Sequence, residues 1–293
     1  MGKRIRIGTS GFQFDDWKGT IYPPNISNQD MLSYYEKELG FDTVEVNFTY
    51  YRLPSSRALE GMMRKTSDDF EFVVRSHKEM THEIWEDDQR KNLKENEEIF
   101  IRFKEGVKPL KEAGRLGCIL IQFPSFFWPK RENFDYILTC KERLKEIPLV
   151  VEFRNRNWVN ERTFSFLKAQ NLGFCVVDEP KLPRLMPFTP KVTSDVGYMR
   201  FHGRNVNWFK ASREERYNYL YTPNQLESFL PSIRNIVQSS EKAFIFFNNC
   251  HAGHAVKNSL YLKRLMGLID ELTPEQERIF SLIEENDLAK IIH

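Results

Sequence analysis

Residues 149–179 read LVVEFRNRNWVNERTFSFLKAQNLGFCVVDE, and this stretch decides the fold. An apolar, β-branched run from Leu149 to Phe153 leads into a polar turn. An amphipathic segment from Glu161 to Ala169 and a second apolar run from Phe174 to Val177 follow. Runs this short suit strands better than buried helices, and a strand apolar at nearly every position is covered on both faces. A helix-bearing connection then returns the second strand parallel to the first.

The same alternation continues in both directions. Strand-like runs recur at Ile5 to Gly8, Thr43 to Val46, Phe72 to Arg75, Cys118 to Phe123, Tyr198 to Phe201 and Ala243 to Phe247. Helical patterns lie between them at Gln29 to Leu39, Arg57 to Lys65, Lys91 to Ala113, Glu132 to Lys145, Asn224 to Val237 and Ala255 to Leu268. Eight βα units imply an α/β fold, a TIM-type (β/α)8 barrel, with an open doubly wound sheet as the alternative. One crossover departs from the pattern. The segment after Val177 carries Pro180, Pro183, Pro187 and Pro190, which a helix interior rejects, so the sixth crossover is expected to be an irregular, extended wrap. Thr273 followed by Pro274 marks a helix start. The domain reading is therefore a single barrel over residues 1–272 with a short C-terminal helical appendage over 273–293.

Composition narrows the function classes. Of 293 residues, 41% are hydrophobic and 29% charged, which excludes collagenous, low-complexity and wholly disordered chains. A net charge of +2 lacks the basic footprint of a general nucleic-acid binder, so nucleic acid is not a favoured partner. No run approaches the ~20 apolar residues of a membrane helix, and MGKRIRIGTSG turns polar before a signal-peptide core forms; a cytoplasmic chain with no membrane partner is expected. Cys118, Cys140, Cys175 and Cys250 form no CxxC pair, so neither a zinc cage nor a disulfide framework is signalled.

In parallel α/β proteins ligands gather at the carboxyl ends of strands, and here nearly every strand ends in a polar residue. They are Ser10, then Glu45 with Asn47, Arg75 with His77, Gln122, Glu152 with Arg154, Asp178, Arg200 with His202, and Asn248 with Asn249. Period-two alternation puts Glu45 with Asn47, Glu152 with Arg154 and Arg200 with His202 on common strand faces. Val44, Val46, Val151, Phe153, Met199 and Phe201 are left for the helices. The planar forks of Arg75, Arg154 and Arg200 suit phosphate or carboxylate, which points to a small anionic ligand, phosphorylated or sugar-like. Glu45 or Glu152 is read as general base and His202 as acid, in a hydrolase, lyase or isomerase. Ser10, Asn47, Arg75, Gln122, Arg154, Asp178, Arg200, Asn248 and Asn249 are read as substrate-binding.

Two other readings stand beside this one. Glu45, Glu152, Asp178 and His202 are acceptable metal ligands, as in a metal-dependent phosphodiesterase resembling apurinic endonucleases in barrel layout. No HxH or HExxH occurs, and three guanidinium groups oppose a divalent cation, so no metal and no cofactor is assigned. The other is a non-catalytic ligand-binding barrel. Phe12, Phe14, Trp17, Tyr50, Tyr51, Trp158, Trp208, Tyr217 and Tyr219 follow strands and could stack a sugar or base or anchor loops. The stretch RNVNWFKASREERYNYLYT after the seventh strand could form a lid.

The motifs GTSGFQFDDWKGTIYP (8–23), VEVNFTYYRLP (44–54), Thr81-His82, QFP (122–124), EFRNRNW (152–158), YMRFHG (198–203) and FNNCHAGHAVKN (247–258) resemble, in order, the blocks of the YecE-like proteins, domain of unknown function 72. The resemblance runs to about Leu268 and implies a TIM-type barrel without naming a reaction. The chain departs from the usual blocks at Phe12, Phe14, Arg75 and Asn157, and Cys250 stands where an acidic residue is frequent.

Overall fold

The eight apolar runs become eight parallel strands: β1 (Arg4–Thr9), β2 (Thr43–Val46), β3 (Glu71–Arg75), β4 (Leu116–Gln122), β5 (Leu149–Glu152), β6 (Gly173–Asp178), β7 (Val196–Phe201) and β8 (Lys242–Phe247). They are seen in a computed structural model that describes residues 4–291. Each strand pairs with the next from β2 to β8, and β1 pairs with β8 from Arg4 opposite Lys242 to Thr9 opposite Phe247. The ring is nearly closed between β1 and β2, where a single bridge joins Ser10 to Glu45. At this seam a β-carbon on Gly8 would lie 2.5 Å from the carbonyl oxygen of Thr43, so only glycine fits. The hydroxyl of Tyr35 spans the gap, accepting from the Thr9 amide at 3.0 Å and donating to the Thr43 carbonyl at 3.2 Å.

Helices α1 (Met31–Lys37), α2 (Ser56–Met63), α3 (Glu97–Glu112), α4 (Arg131–Arg143), α5 (Glu161–Ala169), α6 (Arg213–Arg216), α7 (Pro223–Ser239) and α8 (His254–Leu265) alternate with the strands. Their apolar stripes meet the outward strand residues. Phe201 of β7, for example, packs edge-on against Phe229 of α7 at 5.0 Å. The sixth crossover holds no helix, as its prolines require, and is pinned by the buried Glu179 carboxylate accepting from the Met186 amide at 2.6 Å.

Two expectations need adjustment. The third helix begins at Glu97, not Lys91, because the Asp87 carboxylate accepts from the amides of Lys91 and Asn92 and fixes a turn, with Arg90 at φ 57°. The C-terminal extension is one helix, α9 (Pro274–Ile291), and its last two expected residues lie outside the described ones. It is docked by Thr273 and Gln276, whose side chains donate to the carbonyls of Glu38 and Leu39 at the end of α1. Among the described residues no helix is long and apolar enough to cross a membrane.

Candidate functional site

The inward face of β7 carries Tyr198, Arg200 and His202 in succession, as strand alternation demands, and the carboxylates of Glu45 and Glu152 meet them from β2 and β5. Arg200 is the hub. Its Nη1 lies 2.6 Å from Glu152 Oε2 and its Nη2 2.7 Å from Glu45 Oε1, with Ser10 Oγ at 3.4 Å. The Tyr198 hydroxyl donates to Glu45 Oε2 at 2.6 Å, and Asn47 donates to Glu45 Oε1 at 3.0 Å. Arg154 lies 2.6 Å from Glu152 Oε1 and reaches Glu179 at 3.1 Å. Glu45, Glu152, Arg200 and His202 are all at most 1% exposed. Such a cluster tolerates burial because each charge faces an opposite one within hydrogen-bonding range.

This arrangement fixes the protonation states. Burial alone would raise the Glu152 carboxyl, but Arg154 and Arg200 outweigh it and hold the group well below the usual carboxylate range. Burial, then the charge of Arg154, pushes His202 down to about 3 against the pull of Glu152, so its imidazole is neutral at physiological pH. His202 Nδ1 stands 3.0 Å from Asn248 Nδ2, while Nε2 lies 3.4 Å from Glu152 Oε1 without a hydrogen bond. The imidazolium form of His202, the acid read from the sequence, is suppressed.

Arg75 differs from the other guanidinium groups. It is half-buried over the ring of Tyr50, 4.1 Å from the centroid, and donates to Gln122 Oε1 at 2.6 Å. Among the described residues no carboxylate pairs with it, and its buried Nε has no partner. His82 stands beside this group, edge-on to Tyr50 at 5.0 Å, with burial and the charges of Arg75 and Arg154 pushing it down to about 4.

The structure brings Ser10, Glu45, Asn47, Glu152, Arg154, Arg200, His202 and Asn248 into this one network and sets Arg75 with Gln122 apart as a pair of their own. Asp178 and Asn249 serve loops instead. Asp178 takes Arg204 Nε at 2.8 Å and Nη2 at 2.7 Å and accepts from the Tyr221 hydroxyl at 2.6 Å; Asn249 donates to the Tyr219 carbonyl and to Asn258. His77 caps the short turn after β3, its Nδ1 facing the Glu79 amide. Trp17 and Trp158 are buried, each indole donating to a loop carbonyl at 2.6 Å, and they stack within the protein as loop anchors. In the segment after β7, Trp208 is buried under Arg216, and Tyr217 stands 6.3 Å from the His202 ring.

Sequence reasoning missed Tyr198 and Glu179. Tyr198 shares the face of Arg200 and His202 by the same alternation, so its position was the signal. Glu179 follows the last residue of β6, where no periodicity applies.

Ser10, Glu45 and Asn47 also border a cavity of about 880 Å³ that leaves the barrel rim between the loop after β1 and helix α2.

The sequence profile of a family described as "Protein of unknown function DUF72" matches residues 6–279. The chain is 32% identical to UPF0759 protein YunF of Bacillus subtilis (strain 168), over 94% of this chain and all of the relative. A DUF72 family protein from Thermotoga maritima of known crystal structure shares 41% identity with a TM-score of 0.83, covering 90% of this chain and 99% of that one. A DUF72 family protein from Enterococcus faecalis shares 25% identity with a TM-score of 0.79, covering 91% and 97%.

Proposed function

This chain belongs to the DUF72 family, whose name carries no reaction, and from the site itself we propose that it binds and transforms a small phosphorylated or sugar-like anion at the C-terminal mouth of the barrel. The observation that carries this reading is Arg75, a half-buried guanidinium held on Tyr50 with no carboxylate partner among the described residues. Arg154 and Arg200 are already matched by carboxylates, so Arg75 is the fork left for an incoming anion. Gln122 Oε1 accepts from its Nη2 and orients the guanidinium. The neutral His82 adds a group that can donate to a phosphoryl oxygen without a proton being taken from water.

In this reading Glu45, which borders the cavity, is the catalytic carboxylate. Glu152 and His202, sealed behind it, are positioning residues that hold Arg154 and Arg200. The carboxylates spend their oxygens on guanidinium and phenol donors, which favours anion binding over metal-dependent phosphodiesterase chemistry. The four cysteines are free and buried, which fits a reducing cytoplasm.

Calorimetric titration of inorganic phosphate and glucose 6-phosphate into the parent protein and Arg75→Gln tests the reading. Saturable binding to the parent and about tenfold weaker binding to the variant, or ~1.4 kcal/mol, is expected. No saturable binding to the parent, or equal affinities in both, overturns it. Turnover is followed by phosphorus NMR across phosphorylated metabolites, with Glu45→Gln expected about 10²-fold slower. Binding without turnover of any substrate would leave the non-catalytic barrel.

A further inference from the structure

The 880 Å³ groove at the rim is not needed to hold a small anion at Arg75, which does not line it. Its volume is that of a site for a ligand of drug size. Its inner end is polar, made by Ser10, Glu45 and Asn47. Its walls are apolar, made by Phe12 and Phe14 from the loop after β1, by Phe48 and by Met62 of α2. Phe48 is 37% exposed there although its neighbour Val46 is buried. The outer end carries Arg52, Arg57 and Lys65, all exposed and none in an ion pair among the described residues. Glu45 is the one carboxylate in the lining, and Arg200 and Tyr198 already occupy it. Within the lining the outer end therefore carries positive charge alone, with Asp30 and Glu36 lying beyond it on the far side of Lys65.

Gly61 sits inside the α2 helix, where glycine costs stability relative to alanine, and it lines the groove. A β-carbon there would meet only the far end of Arg64, at 3.7 Å, so no packing constraint requires glycine. Ala58, one turn earlier, also lines the groove. Gly61, with no side chain, and Ala58, with a methyl, leave one helical stripe low between the aromatic wall and the basic residues.

We propose that this groove binds an amphipathic organic anion, with an acyl or aryl body against Phe12, Phe14, Phe48 and Met62 and a carboxylate, sulfonate or phosphate at Arg52, Arg57 and Lys65. Arg75 does not line the groove, whose inner end is closed by Glu45, the carboxylate read as catalytic. Neutral or cationic molecules of equal hydrophobicity lack the attraction of the outer end, and compact anions lack the apolar contact.

The test uses the full chain and the fluorescent aryl sulfonate 8-anilinonaphthalene-1-sulfonate, with decanoate and decylammonium as competitors. One equivalent of the probe is expected to bind, with decanoate displacing it and decylammonium not. Arg57→Glu/Lys65→Glu should weaken probe binding at least tenfold. Gly61→Leu should abolish it while leaving the thermal midpoint equal to or above that of the parent, because the helix gains a better former as the channel fills. Arg75→Gln should leave it unchanged, which separates this site from the mouth. No saturable probe binding, or bound probe that decanoate does not displace, overturns the proposal. Equal displacement by decylammonium, undiminished binding to a folded Gly61→Leu, or loss of binding in Arg75→Gln overturns the proposal.

Discussion

Replacing Arg200 with Met removes the hub while conserving much of its volume. The change takes one hydrogen-bonded partner at 2.6 Å from Glu152 and one at 2.7 Å from Glu45, at a site with 1% exposure. Glu152 keeps Arg154 and Glu45 keeps Tyr198 and Asn47, but three buried charges that summed to one negative become two that sum to two. Stranding charge in this way costs about 3–5 kcal/mol. With about 2–4 °C per kcal/mol for a domain of this size, the thermal midpoint should fall by roughly 6–20 °C. The sign with pH adds a second check. In the parent, the depressed Glu152 contributes stability that is complete above the ordinary carboxyl pKa of about 4.5 and is lost as pH falls through its folded value. In the variant Glu152 loses one of the two guanidinium groups that hold it down against burial, so the deficit should shrink as pH falls from 8 to 5. Urea unfolding at both pH values, with Arg200→Met/Glu152→Gln recovering much of the loss, is the assay. A deficit under about 1 kcal/mol, or one identical at pH 5 and pH 8, would refute the reasoning.

Two more outcomes follow from the geometry. His202, held neutral down to about pH 3, should show no change in its imidazole carbon shifts between pH 5 and 9. Because the unfolded chain protonates it near 6.5, it should also withdraw about 1.4 kcal/mol of stability per pH unit as pH falls below that value; an NMR midpoint near 6.5 contradicts both. Gly11 has φ 101°, and a β-carbon there would stand 3.0 Å from the Phe14 ring, so Gly11→Ala should cost about 1–3 kcal/mol in urea titration, and an unchanged midpoint would contradict the strain.

What the sequence disclosed and what it hid follow physical lines. Strands were legible because burial on both faces writes itself as uninterrupted β-branched and aromatic runs, and the missing helix of the sixth crossover was legible from four prolines. The inward set on β7 was legible as Arg200 and His202 by alternation. Partner choice was not legible, because it depends on which strands adjoin in space. Nothing local distinguishes Arg75, left without a carboxylate, from Arg154, which found Glu152 and Glu179. The start of α3 was misplaced since the Asp87 side chain, a competitor for backbone amides, outbid the helix for Lys91 and Asn92.

The seam between β1 and β2 bears on how the chain is made. The first strand has its ladder along β8 and meets β2 through little more than the Ser10–Glu45 bridge and the Tyr35 hydroxyl. During synthesis at about 5–20 residues per second, β1 therefore emerges roughly ten to fifty seconds before the strand that completes its pairing. Over that interval RIRIGT is an unpaired edge on the ribosome, and its alternating arginines are the kind of charge that discourages such an edge from pairing with another chain. In the finished barrel Arg6 is buried against Asp42 and Asp69, so the charge of that exposed edge ends as an anchor beside the seam.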